Sequence, residues 1–297
     1  METPADPSLI PQKVSEVKAW LAAHPDADPA VLAPHERQKA AARAAAVRAL
    51  GSMGTPRALE VLRQYAADHY PDAVLKELHT AWSRFDRREF AATMFRQAPY
   101  TLDLGMAGSL EGIGAVSGLT SLDVVLVGGA DLSPLAECTE LRTLRVGAQG
   151  APGLLGVEPI VDLPVLSELH LTRTTRNADL TPLSRTPVRR LRIDLEDADG
   201  SFLLRMPNLE RLLLSGGGSS ASLEQCEALA DVVVALARQG VQVVAYRHQR
   251  HWVDGLLQKA DSAVDIFVAD TNGYVGLTND ESELDGVRRR LFSNLLP

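Results

Sequence analysis

Leu166-Ser167-Glu168-Leu169-His170-Leu171 states a phrase, L-x-x-L-x-L with aliphatic substitutes, that the chain makes five times. The other copies are Leu122-x-x-Val125-x-Val127, Leu141-x-x-Leu144-x-Val146, Val188-x-x-Leu191-x-Ile193 and Leu209-x-x-Leu212-x-Leu214. Their middle positions lie 19 to 25 residues apart, a period characteristic of solenoids made of stacked strand-and-turn units. Thr101-Leu102-Asp103-Leu104 reads as a degenerate first copy. An array of this kind presents a surface rather than enclosing a reaction centre.

Between the strand phrases lie two matching turns, Asp131-Leu132-Ser133-Pro134-Leu135 and Asp179-Leu180-Thr181-Pro182-Leu183. In each, the aspartate is placed to cap a turn, both leucines to bury, and the proline to stop strand continuation.

Upstream of Pro99 the apolar period is helical. Val14, Val17, Trp20 and Leu21 share a face, and Pro25, Pro29 and Pro34 end that segment. His35 to Leu50 is rich in alanine and arginine, strong helix formers. Gly51 and Gly54 punctuate its end, and Pro56 suits the first turn of a helix reaching about Tyr65. Pro71 opens another, with Val74, Leu75, Leu78, Ala81 and Trp82 on one face, and Arg88 to Phe95 completes the block. Helices in succession with short Gly or Pro turns resemble HEAT-type hairpins. A plain helical bundle fits the same pattern.

Gly216-Gly217-Gly218-Ser219-Ser220 breaks the repeats, and with no Lys-Ser/Thr after it reads as a linker rather than a phosphate loop. Beyond it the expected elements are a helix at 223–238, a strand at 241–246, a helix at 252–260, strands at 264–269 and 274–277 about an Asn272-Gly273 turn, and a final helix at 282–296. The expected fold class is therefore α/β. A flexible arm at 1–12 leads to a HEAT-like helical block at 13–98. A short irregular leucine-rich-repeat solenoid follows at 99–218, and a C-terminal α/β module at 221–297 caps its open end.

The repeat stretch resembles the leucine-rich-repeat superfamily. With Ala44-Val47-Arg48-Ala49-Leu50-Gly51, Pro56, Ala58-Leu59 and Ala81-Trp82-x-x-Phe85-Asp86-x-x-Glu89-Phe90 before it, the combination is similar to the C-terminal arms of actinobacterial NACHT-type signalling ATPases, relatives of the NLR immune receptors. The resemblance spans roughly residues 40 to 215. It implies a bacterial sensor or adaptor module in signalling or defence. No G-x-x-x-x-G-K-[ST] occurs, so no ATP role carries over. The asparagine that follows the strand phrase in standard repeats is also missing. Ala130, Gln149, Thr174, Glu196 and Gly217 stand there, which implies irregular repeats.

The chain has 297 residues, 45% apolar and 23% charged, with a formal net charge of -8. That acidic balance argues against a nucleic-acid binder. Cys138 and Cys226 make no disulfide framework and point to a reducing compartment. The first residues lack the basic-then-apolar pattern of a signal peptide, and no apolar run is long enough to span a bilayer. A cytoplasmic location without membrane contact is expected.

In each strand phrase the x residues face outward, onto the concave side. That face is expected to carry Val124, Leu126 and Gly128; Thr143, Arg145 and Gly147; Glu168, His170 and Thr172; Arg190, Arg192 and Asp194; and Arg211, Leu213 and Ser215. The lane is locally basic in an acidic chain. Arginines stacked on adjacent strands suit a carboxylate-rich or phosphorylated surface through charge-assisted bonds. Arg145, Glu168, His170, Arg190, Arg192, Asp194 and Arg211 are the candidate contacts with a protein partner. The plainer reading is a solvated face that keeps the sheet soluble.

No catalytic residue, metal or cofactor is expected. His248 and His251, beside Trp252, lack a third ligand and read as a surface cluster. Cys226 lies in an aliphatic helix and reads as core. Trp82, Phe85 and Phe90 read as core, with a docking surface as the alternative. A second function class is a hydrolase-type enzyme with His248, His251 and Asp270 in the C-terminal module and the repeats as its docking platform.

Overall fold

The structure, a computed structural model, describes residues 10–67, 70–95, 102–128, 131–150, 154–172, 174–194, 200–215, 227–246, 250–259, 265–270 and 273–278. The chain divides into two compact units, Met1–Val125 and Leu126–Pro297. Residues 1–9 of the expected arm at 1–12, the glycine run at 216–220, Cys226, His248, Asn272 and the helix at 282–296 lie outside the described residues.

The first unit begins with five helices: α1 (Val17–Ala23), α2 (Ala40–Met53), α3 (Pro56–Leu62), α4 (Asp72–Trp82) and α5 (Arg87–Met94). α2 is its axis. Ala42, Ala44, Ala45, Ala46, Val47, Ala49 and Leu50 are buried along it, and its main packing partner is α4. Alanine on both faces lets neighbouring helices close in. The helix passes through Gly51 and stops at Gly54, whose φ of 60° closes the last turn in the left-handed conformation. The side chain of Thr55 then accepts a hydrogen bond from Ala58 N and Pro56 fills the first turn, so α3 starts at once. Asp86 caps α5 in the same way, accepting from Glu89 N at 2.8 Å. Trp82 and Phe90 are core residues, whereas Phe85, which stacks on Phe90, is only half-buried.

The remaining strands are β1 (Leu102–Ala107), β2 (Ser121–Val127), β3 (Thr143–Gln149), β4 (Leu154–Gly156), β5 (Glu168–Thr172), β6 (Thr174–Asp179), β7 (Arg190–Asp194), β8 (Arg211–Ser215), β9 (Gln242–Tyr246), β10 (Asp265–Asp270) and β11 (Gly273–Thr278). In the second unit β3, β5, β7, β8, β9 and β10 lie side by side in that order, all parallel, and β11 returns antiparallel to β10. In the β10–β11 hairpin Asp270 pairs with Gly273, and the expected Asn272-Gly273 turn falls partly outside the described residues.

After β2, β3, β5 and β7 a short helical turn precedes the next strand of the sheet. Ser133–Glu137, helix α6 (Glu158–Val161), Thr181–Arg185 and Gly200–Arg205 stack one on the next, and α7 (Glu227–Arg238) packs on the last. The two matching turn phrases adopt one geometry. Asp131 Oδ1 accepts from Ser133 N and Asp179 Oδ1 from Thr181 N, each at 2.9 Å, and Leu132 and Leu180 share φ -94°, ψ -3°. Leu132, Leu135, Leu180 and Leu183 are all buried, as their spacing implies. The core of this unit lies between sheet and turns. Leu144, Leu169, Leu171, Leu191, Ile193, Leu212 and Leu214 supply it from the strands, each contributing about 1.5–3 kcal/mol of transfer free energy.

One expected phase is corrected. Val124 and Leu126 do not face outward; both are 1% exposed, while Val127 is 42% exposed. The buried residues of β2 are Leu122, Val124 and Leu126, and Leu119 is buried just ahead of it, so its phrase is Leu119-x-x-Leu122-x-Val124. With that phase the middle leucines Leu122, Leu144, Leu169, Leu191 and Leu212 follow one another at 22, 25, 22 and 21 residues. β4 and β6 form a separate parallel pair whose register shifts between Leu154 and Gly156.

Beyond β8 the sheet continues into β9. Val243 and Val244 point to opposite faces and both are buried, so β9 is covered on two sides, unlike the repeat strands. α8 (Arg250–Lys259) then leads to β10, with Trp252, Val253 and Leu256 buried.

Candidate functional site

The parallel register of β3, β5, β7, β8 and β9 arranges the outward positions in rows. One row reads Thr143, Glu168, Arg190, Arg211, Gln242, and the next reads Arg145, His170, Arg192, Leu213, Val244. The alternating leucines fix this: once Leu144, Leu169, Leu191 and Leu212 bury on one face, their neighbours must emerge on the other. Parallel strands lie about 4.8 Å apart, so row-mates are in contact range.

Six of the seven sequence candidates meet in these two rows. The seventh, Asp194, stands opposite Ser215 at the end of β7, and its side chain is buried, 8% exposed.

Glu168 is the centre of the arrangement. Its Oε1 lies 3.3 Å from Arg145 Nη2 and 3.1 Å from His170 Nε2, and its Oε2 lies 3.8 Å from Arg190 Nη1. Cationic or imidazole groups from β3, β5 and β7 thus converge on one carboxylate. The Glu168 side chain is 21% exposed, Arg145 43% and Arg190 61%, so the cluster opens to solvent through its arginines. Arg211 Nε donates to Gln242 Oε1 at 2.6 Å. Burial pushes the His170 imidazole below its usual 6.5; Glu168 pulls it up, and Arg145 and Arg192 push it down. The imidazole is therefore neutral near pH 7.

The sequence reading found these residues but not their pairing, and it did not assign Gln242 to the lane. Its signal was the aliphatic alternation of Val241, Val243 and Ala245, which puts Gln242 in phase with Arg211.

The helical unit has an open groove of about 420 Å³ lined by Pro56, Leu59, Glu60, Phe85 and the ion pair Arg63–Glu89, closed at 2.6 Å. Among the described residues no group of three or more His, Cys, Asp or Glu is disposed to hold a metal ion. His251 and Asp270 fall in α8 and β10, but their side chains, like His248, lie outside the described part. No described helix is long and apolar enough to cross a membrane.

A family described as PBS lyase HEAT-like repeat matches residues 42–68, the hairpin of α2 and α3. No curated protein matches the chain. Among solved structures, the chain is similar to an internalin (InlF) of Listeria monocytogenes at 15% identity and a TM-score of 0.29, over 53% of this chain and 55% of that one. The chain thus matches about half the length of that internalin.

Proposed function

We propose that the chain is a non-enzymatic protein-recognition module, and that the outward face of β3, β5, β7 and β8 is its binding surface. The observation that carries this reading is the pair of register rows. They concentrate Arg145, Arg190, Arg192 and Arg211 on one face of a chain whose net charge is -8. A charged, open, parallel sheet face held rigidly from behind suits the capture of a protein surface. The contact set is Arg145, Glu168, His170, Arg190, Arg192 and Arg211, with Asp194 at the margin.

The domain reading keeps three parts: a helical block at 13–98, repeats at 99–218 and a C-terminal module at 221–297. A HEAT-like hairpin at 42–68 before leucine-rich strands supports an arm of the NACHT type. A sensor or adaptor in a bacterial cytoplasmic signalling or defence system is the role that fits. The test is affinity capture with the intact chain and with the Arg190→Glu/Arg192→Glu variant. Loss of the captured protein with a folded variant supports the face; equal capture by both contradicts it.

A further inference from the structure

We propose that the partner lays an extended acidic segment across this face, and that Glu168 is a built-in competitor whose place at the arginines the partner's carboxylates take. The proposal rests on the recognition reading above and specifies the chemistry of its ligand.

Glu168 shows what the face holds best. A carboxylate already sits there, with Oε1 against Arg145 and His170 and Oε2 toward Arg190. The three partners come from three adjacent strands, so the geometry belongs to the sheet and not to one flexible loop. The strand positions of the two rows carry four arginines against Glu168, and Asp194 at the edge is buried. The balance of the face is cationic in an acidic chain, which selects anionic ligands and steers them to this side.

The spacing favours a peptide. In an extended segment, carboxylates at i and i+2 point the same way about 7 Å apart. Arginine side chains on strands about 4.8 Å apart, each able to grip a carboxylate with two N–H groups, bracket that distance. Glu168 sets a threshold: a single weak carboxylate gains little by replacing it, whereas two or more acids engage Arg145 and Arg190 together with Arg192 and Arg211.

The test uses a fluorescein-labelled decapeptide of alternating Glu and Gly, followed by fluorescence anisotropy at low salt on the full chain. The Lys-Gly peptide and a ten-nucleotide oligothymidylate serve as comparators. Expected is saturable binding of the Glu peptide that weakens with salt. Glu168→Gln is expected to tighten it about three- to tenfold and Arg190→Glu/Arg192→Glu to weaken it at least about tenfold. Arg145→Gln, which makes a smaller change, provides a second loss variant, and circular dichroism establishes that each variant is folded.

If Glu168→Gln leaves the affinity unchanged or lowers it, the competitor role is overturned, while sensitivity to the arginine variants preserves the recognition reading. If the Glu peptide fails to bind any form, or the oligonucleotide or Lys peptide binds better, the acidic class is overturned. A cellular protein lost from capture with Arg190→Glu/Arg192→Glu leaves the face itself standing in that case.

Discussion

His170 Nε2 lies 3.1 Å from Glu168 Oε1, two residues away on the same face of β5. Burial holds the imidazole below its ordinary value while Glu168 alone among its neighbours raises it. Removing that carboxylate leaves burial and the two arginines unopposed. In an NMR titration His170 is therefore expected to lose its proton below pH 6.5 in the intact chain and at still lower pH in Glu168→Gln. A rise in the variant contradicts the assignment.

Gly51 packs so tightly on α4 that a Cβ there meets Ala81 Cβ at 2.6 Å. Gly51→Ala must push two helices apart and is expected to cost about 1–3 kcal/mol. Ser52→Ala, at the exposed neighbouring position, is expected to stay within about 0.5 kcal/mol. Thermal or denaturant unfolding of both variants checks this, and equal stability contradicts the close approach.

Glu77 is 4% exposed at its side chain and pairs with Arg48, whose own side chain is 34% exposed. Deleting the arginine strands a buried carboxylate; deleting the glutamate frees an arginine that reaches water. Arg48→Ala is expected to cost about 3 kcal/mol and Glu77→Gln clearly less, since removal of one partner penalises the charge left buried. The reverse order in chemical denaturation is the contradicting result.

His79 of α4 is half-buried, and its Nε2 is shielded from solvent without a hydrogen-bond partner. Burial, its largest influence, lowers its pKa below 6.5. Between that lowered value and 6.5 the unfolded chain binds a proton that the folded chain does not, so stability falls as pH drops through this window. Above 6.5 both states are neutral and His79 has no effect. His170 adds in the same direction. Asp131 and Asp179 have lowered pKa values, so their contribution is present above about 3.8 and is lost only at lower pH. His79→Asn is expected to flatten the stability profile between pH 7 and 5; an unchanged slope contradicts this.

The repeat turns could be read from sequence because each position has one task. In Asp131-Leu132-Ser133-Pro134-Leu135 and Asp179-Leu180-Thr181-Pro182-Leu183 the aspartates cap and the leucines bury, and both copies fold identically. The phase of β2 was harder. Leu122-Asp123-Val124-Val125-Leu126-Val127 offers apolar residues at both parities, and a slip of one residue exchanges the faces of a strand. Leu119, buried ahead of the strand, sets the phase. The outward arginines followed from alternation alone. The grip on Glu168 did not, because it depends on the register between β3, β5 and β7, separated by more than twenty residues in sequence.

The most direct measurement is quantitative capture of a protein partner by the intact chain, by Arg190→Glu/Arg192→Glu on the sheet face, and by Arg185→Glu/Arg205→Glu in the helical turns. Arg185 and Arg205 are both exposed, and the two double variants alter net charge equally. A partner held by the intact chain and the turn variant, and lost only with the sheet-face variant, is the predicted result. Capture that survives Arg190→Glu/Arg192→Glu, or falls equally with both, contradicts a binding surface on β3, β5, β7 and β8.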